Sequence, residues 1–122
     1  MSEESKSLGQ RGEERAALYL KEAGYTIRHS NWKSGKRELD IIAENSDFIV
    51  FVEVKTRTED YKMPPASAVT PDKQRSIIYA ADGYIQKYNI DKESRFDIIT
   101  VIAKGKSFEI DHIKNAFYPT LR

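Results

Sequence analysis

Three acids and one lysine stand out by type and spacing: Glu13, Asp40, Glu53 and Lys55. Two of them lie in FIVFVEVKTR, residues 48–57, where an apolar run suited to a core strand gives way to alternating charge. Side chains alternate along a strand, so Glu53 and Lys55 share a face, about 7 Å apart. The segment ELDIIA, residues 38–43, reads as the strand before it, joined through ENSD as a hairpin. With Asn45-Ser46 as a two-residue turn, Glu44 pairs with Asp47, Asp40 with Phe51 and Glu38 with Glu53. Asp40, Glu53 and Lys55 then project together, with Glu38 nearby. A turn one residue longer sends Asp40 to the opposite face.

Glu13 joins them from a helix. Leu8 to Ala23 has helical periodicity, with Ala16, Ala17, Leu20 and Ala23 as one apolar stripe and Gly24 as its stop. Glu13 sits on the edge of that inward face, and Glu14 points to solvent. Gly9 and Gly12 flank Glu13, where missing side chains let the helix start approach another backbone or a ligand. Clustered carboxylates are costly: burial penalises the charged form, and like charges raise each other's pKa. A hard divalent cation relieves both, since magnesium takes carboxylate and water oxygens and commonly needs one or two protein carboxylates. Such an ion lowers the pKa of a bound water and offsets charge building on a phosphate. Lys55 is placed to hold the water or the phosphate, and the set suits phosphodiester hydrolysis. Taken singly, each residue has a plainer reading. Glu53 and Lys55 fit an ion pair on an edge strand, Glu13 a helix-surface acid, and Asp40 an acid at a strand end. Only their joint placement favours a metal site.

The remaining elements must position this set. Tyr25 to Trp32 reads as a strand, and residues 57–70, with Pro64-Pro65, as a long loop. Thr70-Pro71-Asp72 supplies a cap, an N1 proline and a first-turn acid for a helix running to about Tyr88. Its expected buried stripe is Ile77, Ala81, Ile85 and Tyr88. Arg95 to Ala103 and Ser107 to Ile113 complete the strands. The order α-β-β-β-α-β-β predicts an α/β fold, a mixed central sheet flanked by helices. Residues 1–7 and 118–122 read as tails around one domain, 8–117.

Composition narrows the chemistry. The 39% hydrophobic content is enough for a globular core, and the 32% charged content suits a soluble surface. With no cysteine and two histidines, thiolate sites, disulfides and histidine-rich zinc sites are excluded. No apolar run is long enough to span a bilayer, and MSEESKSLGQ lacks the build of a signal peptide, so a cytoplasmic protein is expected. A net charge of +1 does not advertise a phosphate binder. Even so, RHSNWKSGKR, residues 28–37, carries Arg28, Lys33, Lys36 and Arg37 with no acid among them. Lys36, Arg37, Arg57 and Lys73 are the candidate phosphate contacts, Lys73 aided by the helix N-terminus; each also reads as a solvated cation. Trp32 and Tyr61 are candidates to stack on exposed bases, with a core or rim role the plainer reading for Trp32. His112 reads as a structural histidine, with Asn115 and Phe117 pinning the C-terminal segment.

Glu13, then ELDIIA with Asp40, then VFVEVKTR with Glu53 and Lys55, resembles the PD-(D/E)XK nuclease signature. More fully, GQRGEERAALYL, GYTIRHSNWK, ELDIIAE, VFVEVKTR, AVTPDKQR, RFDIITV and HIKNAF together look like the YraN-type family of small bacterial proteins, over roughly residues 8–117. That family is similar to archaeal Holliday-junction resolvases. The resemblance implies a restriction-endonuclease-like core and a DNA endonuclease acting on branched or structured sites. It implies Mg2+ or Mn2+ held by Asp40, Glu53 and the backbone carbonyl of Val54, with Lys55 as catalytic lysine and Glu13 as accessory acid. Resolvases act as two-fold dimers, so a homodimer is also implied. The competing reading is a nucleic-acid-binding or assembly module that keeps the fold without cutting. Near-neutral charge favours that module; the complete acid–lysine set favours the enzyme.

Overall fold

The structure, a computed structural model, describes residues 6–60 and 69–119. Its elements are α1 (Leu8–Glu22), β1 (Thr26–Ser34), β2 (Arg37–Glu44), β3 (Phe48–Thr58), α2 (Pro71–Lys87), β4 (Glu93–Lys104) and β5 (Ser107–Phe117). The order is the one expected. The strands overrun their expected limits, most of all β5, which reaches Phe117 rather than Ile113, and β4, which runs from Glu93 to Lys104. Residues 61–68 of the expected loop, and with them Tyr61, lie outside the described residues.

The five strands lie in chain order in one sheet, antiparallel except for the parallel pair β3–β4. A parallel neighbour needs a crossover, and α2 supplies it. Each helix covers one face. α1 packs Ala16 and Leu20 on Ile41, Val50, Val52, Val54, Ile99 and Val101. On the other face, α2 packs Ile77, Ala80, Ala81 and Tyr84 on Leu39, Ile49, Phe51, Phe96 and Ile98. Tyr84, absent from the expected stripe, is fully buried, whereas Ile85 and Tyr88 are only partly so. Its hydroxyl makes the difference: it accepts from Arg28 Nε at 2.8 Å and meets His29 Nδ1 at 2.7 Å, both on β1. A ring that size is buried at low cost only when its polar end is satisfied.

Local chemistry starts both helices where the sequence places them. Ser7 accepts from Gln10 N–H and Gln10 reaches back to Ser7 N–H, a complete capping box. Thr70 accepts from Lys73 N–H at 3.2 Å, with Pro71 following it. α1 ends at Gly24, whose φ of +100° suits a residue without Cβ.

The β2–β3 register corrects the expected hairpin. Glu44 pairs with Ile49 and Ile41 with Val52, two residues out of step with a two-residue turn. The cause is Asn45, whose side-chain oxygen accepts from the N–H groups of both Asp47 and Phe48 and so fixes a longer loop. An even shift preserves facing along the ladder, which ends at the Ile41–Val52 pair, one residue short of Asp40 and Glu53.

A buried network ties α1 to the far edge of the sheet. Asp97, with 0% exposure, takes two bonds of 2.9 Å from Arg95, one of 2.7 Å involving His112 Nε2 and one of 3.0 Å from Asn115 N–H. His112 Nδ1 meets the Tyr19 hydroxyl of α1 at 2.9 Å. Burial pushes the Asp97 carboxyl upward, but the bonds from His112, Arg95 and Asn115 hold it below the usual carboxylate range. His112 is thus the structural histidine expected.

α1 also crosses β3 with no clearance at Gly12. A Cβ there would lie 2.8 Å from Thr56 Cγ2 and closer still to its hydroxyl. Around Gly9 the space is open, with Ser7 Oγ at 4.0 Å as the nearest atom, so only one of the two glycines serves a close approach. Gly12→Ala is expected to cost about 1–3 kcal/mol in urea denaturation through overpacking. Gly9→Ala is expected to gain about 0.5–1 kcal/mol by restricting the unfolded chain and favouring helix.

Candidate metal and phosphate site

The site forms where the β2–β3 ladder gives out. Leu39 and Ile42 both pack on the α2 face, whereas regular alternation would separate them, so β2 turns about its axis around Asp40. Past the Ile41–Val52 pair, Asp40 Oδ2 accepts from Val54 N–H at 2.9 Å in place of a backbone carbonyl. A residue's N–H and C=O leave a strand on the same side, so the Val54 carbonyl faces the same gap.

Across that gap the Asp40 and Glu53 carboxyl groups lie close enough to shift each other's titration. Glu53 is 5% exposed; burial first, and the Asp40 charge second, raise its pKa to about 7, against the opposing pull of Lys73 and Lys55. Burial also raises Asp40, with the Val54 N–H working against it. Two ammonium groups converge on the same oxygen: Glu53 Oε2 lies 3.4 Å from Lys55 Nζ and 3.9 Å from Lys73 Nζ. Lys73 stands in the first turn of α2, so the helix brings both its N-terminal end and a charge to the strand.

Glu13 approaches from α1. It is half-buried, and its pKa is raised by burial, then by the charge of Asp40, with a smaller push from Glu38. The side chain of Asn31 hydrogen-bonds to it, which favours the charged form. Asn31 sits in β1 with φ of +53°, a left-handed conformation that asparagine tolerates better than most residues.

The other expected contacts are more dispersed. Lys36 stands in the exposed β1–β2 turn after Gly35. Arg37 lies over the ring of Tyr79 on α2, 4.2 Å from its centroid. Arg57, two residues beyond Lys55, donates to the carbonyl of Thr56 at 2.9 Å. Trp32 packs edge-on against Tyr84, at 5.2 Å between ring centroids, in the core role foreseen. A cavity of ≈ 870 Å³ along α2, bordered by Ile78, Tyr79, Ile85, Phe96 and Tyr118, includes none of the four site residues.

The model of the uncharacterised protein family UPF0102 matches residues 12–101, a span that holds Glu13, Asp40, Glu53, Lys55 and Lys73. The chain belongs to UPF0102. A UPF0102 protein of Bacteroides fragilis is 51% identical over 114 residues, covering 93% of this chain and 94% of that one. One of Phocaeicola vulgatus is 47% identical over 118 residues, covering 97% and 98%, and one of Geobacter metallireducens 44% identical over 118 residues, covering 96% and 97%. This is the YraN-type family that the sequence motifs resemble.

In this UPF0102 protein the donor set fits a hard cation. Among the described residues no three histidine, aspartate or glutamate side chains gather closely enough to hold an ion alone. The paired oxygens of Asp40 and Glu53, with the Val54 carbonyl beside them, meet the one or two carboxylates magnesium commonly takes. Glu13 comes to the site from α1, where the charge of Asp40 acts on it.

Sequence reasoning missed Asn31 and Thr100. Thr100 pairs with Lys55 across β3–β4 and so shares its face; it is 3% exposed, and its hydroxyl has no hydrogen-bond partner among the described residues. Such a buried hydroxyl beside a catalytic candidate calls for explanation, and it stands ready to accept from the lysine. No spacing rule marks a threonine in RFDIITV, because threonine is an ordinary strand residue.

The carboxyl pair sets the pH response. Glu53 holds its proton up to about pH 7 in the folded chain, against an ordinary value of 4.5. Between these values the folded state binds more protons than the unfolded, so stability falls as pH rises. The full loss is of the order of 3 kcal/mol. Urea denaturation in chelator at pH 5 to 8 is expected to show this decline, and Glu53→Gln is expected to flatten it.

Proposed function

We propose that this UPF0102 protein is a divalent-metal-dependent nuclease that hydrolyses phosphodiester bonds in DNA at branched or otherwise structured sites. The observation that carries the reading is the buried Asp40–Glu53 pair with two lysines aimed at one of its oxygens. A structural ion pair needs one cation for one anion. Here two ammoniums approach one carboxyl oxygen at the end of a strand, which suits a place where metal and phosphate charges balance.

Asp40, Glu53 and the Val54 carbonyl would hold Mg2+ or Mn2+, which when bound supplies a lowered pKa for water and a counter-charge for phosphate. Lys55, 3.4 Å from Glu53 Oε2, would hold the attacking water or a non-bridging phosphate oxygen, where a fixed cation stabilises the charged transition state. Lys73, at the helix N-terminus, would bind the adjoining phosphate. Glu13, on α1, would orient water.

The test is a cleavage screen with Mn2+ on duplex, flap and four-way DNA. Asp40→Asn is expected to abolish cutting with the fold intact, and Lys55→Ala to lower it about 100- to 1,000-fold. Millimolar Mg2+ or Mn2+ is expected to raise the melting temperature of the native chain and not of Asp40→Asn. The net charge of +1 favours a second reading, a module that binds nucleic acid without cutting. Absence of both cleavage and metal stabilisation would select that reading.

A further inference from the structure

One aromatic of α2, on the rim of the ≈ 870 Å³ cavity, has no core role. Tyr79 is 67% exposed, while its neighbours Ile77, Ala80 and Ala81 fill the α2 contact with the sheet. Its ring is nevertheless held in place, since the Arg37 guanidinium lies 4.2 Å from the centroid. Guanidinium on aromatic is a planar stack that keeps its charge at every working pH.

Position gives the pair meaning. Arg37 opens β2 three residues before Asp40, about 10 Å along a strand. Tyr79 follows Lys73 by six residues, about 9 Å along a helix. Lys73, Ser76 and Tyr79 are spaced three apart, a row that winds around α2 from the Glu53 side to the exposed face, where the long Arg37 side chain reaches the ring. Lys33 and Lys36 add charge at the β1–β2 turn, and Asp72, the acid beside the row, is already held by Arg75.

We propose that Tyr79, with Arg37 stacked on it, is a platform for one unpaired base of a nucleic-acid strand whose adjoining phosphate reaches Lys73 and the carboxyl pair. This rests on the nuclease reading for the strand's place at the site. Stacking on an aromatic is sequence-tolerant, because every base has a π-face. In duplex both faces of a base are covered by its neighbours, so an open ring takes single-stranded or unstacked nucleotides. The platform therefore selects junctions, flaps and frayed ends over continuous duplex.

The test is fluorescence anisotropy with a labelled single-stranded adenine dodecamer and a blunt duplex of equal length, at low salt in chelator so that nothing is cut. The native chain is expected to bind the single strand more tightly. Tyr79→Ala is expected to lose about 5- to 150-fold of that affinity, the range of one base stack, and to leave duplex affinity and melting temperature unchanged. Tyr79→Phe is expected to bind like the native chain, and Arg37→Lys to fall between. Equal binding by Tyr79→Ala, a preference for duplex, or no binding of either probe would overturn the platform. The nuclease reading is judged separately: loss of single-strand binding in Tyr79→Ala without any Mn2+-dependent cleavage keeps the platform and removes the enzyme. Cleavage with Tyr79→Ala binding undiminished does the reverse.

Discussion

A carboxyl placed against another carboxyl in a buried strand pair is an unfavourable arrangement, and everything around Asp40 and Glu53 either creates it or compensates it. Burial and mutual repulsion push Glu53 to about pH 7. The compensation is specific: a backbone N–H on Asp40 and ammonium groups from β3 and α2 on Glu53. Buried charge of this kind is seldom kept for stability, since well-packed apolar residues do as well or better. The fold arranges it at the one place where the ladder between β2 and β3 ends and backbone groups become available.

That placement explains the topology. Parallel pairing of β3 with β4 requires a long return, and α2 makes it. The N-terminal turn of that helix arrives beside the strand it has just left, so Lys55 and Lys73 meet at the same glutamate from opposite ends of one connection. α1 covers the other face and brings Glu13 alongside. The buried Asp97 network fixes Tyr19, six residues further along α1, to β5, so the helix is anchored at both of its contacts with the sheet.

Much of this was legible in the residues, for reasons that differ by element. The capping signal at Thr70-Pro71 acts within a few residues, so the start of α2 could be read directly, whereas α1 was read from its apolar periodicity and the cap at Ser7 was not foreseen. The relative facing of β2 and β3 survived an incorrect register because alternation has a period of two and the error was also two. The register itself was hidden in the Asn45 side chain, which bonds to two backbone N–H groups and leaves no pattern in hydrophobicity. Tyr84 escaped the helical stripe because its burial depends on Arg28 and His29, on a strand more than fifty residues away. Lys73 was named for its helix position, but its approach to Glu53 follows from the crossover. Thr100 and Asn31 carried no signal of their own: one is ordinary in a strand, and the other is marked by a backbone angle.

The crossing of α1 over β3 has a further consequence. Position 12 and position 56 occupy what is in effect a single volume, filled here by threonine from the strand side. A lineage that enlarges the residue at one position must shrink the other or let the helix drift outward, carrying Glu13 away from the acids across the sheet. Coupled exchange between these two positions among relatives would thus be the evolutionary trace of a steric gauge that sets how far Glu13 stands from the rest.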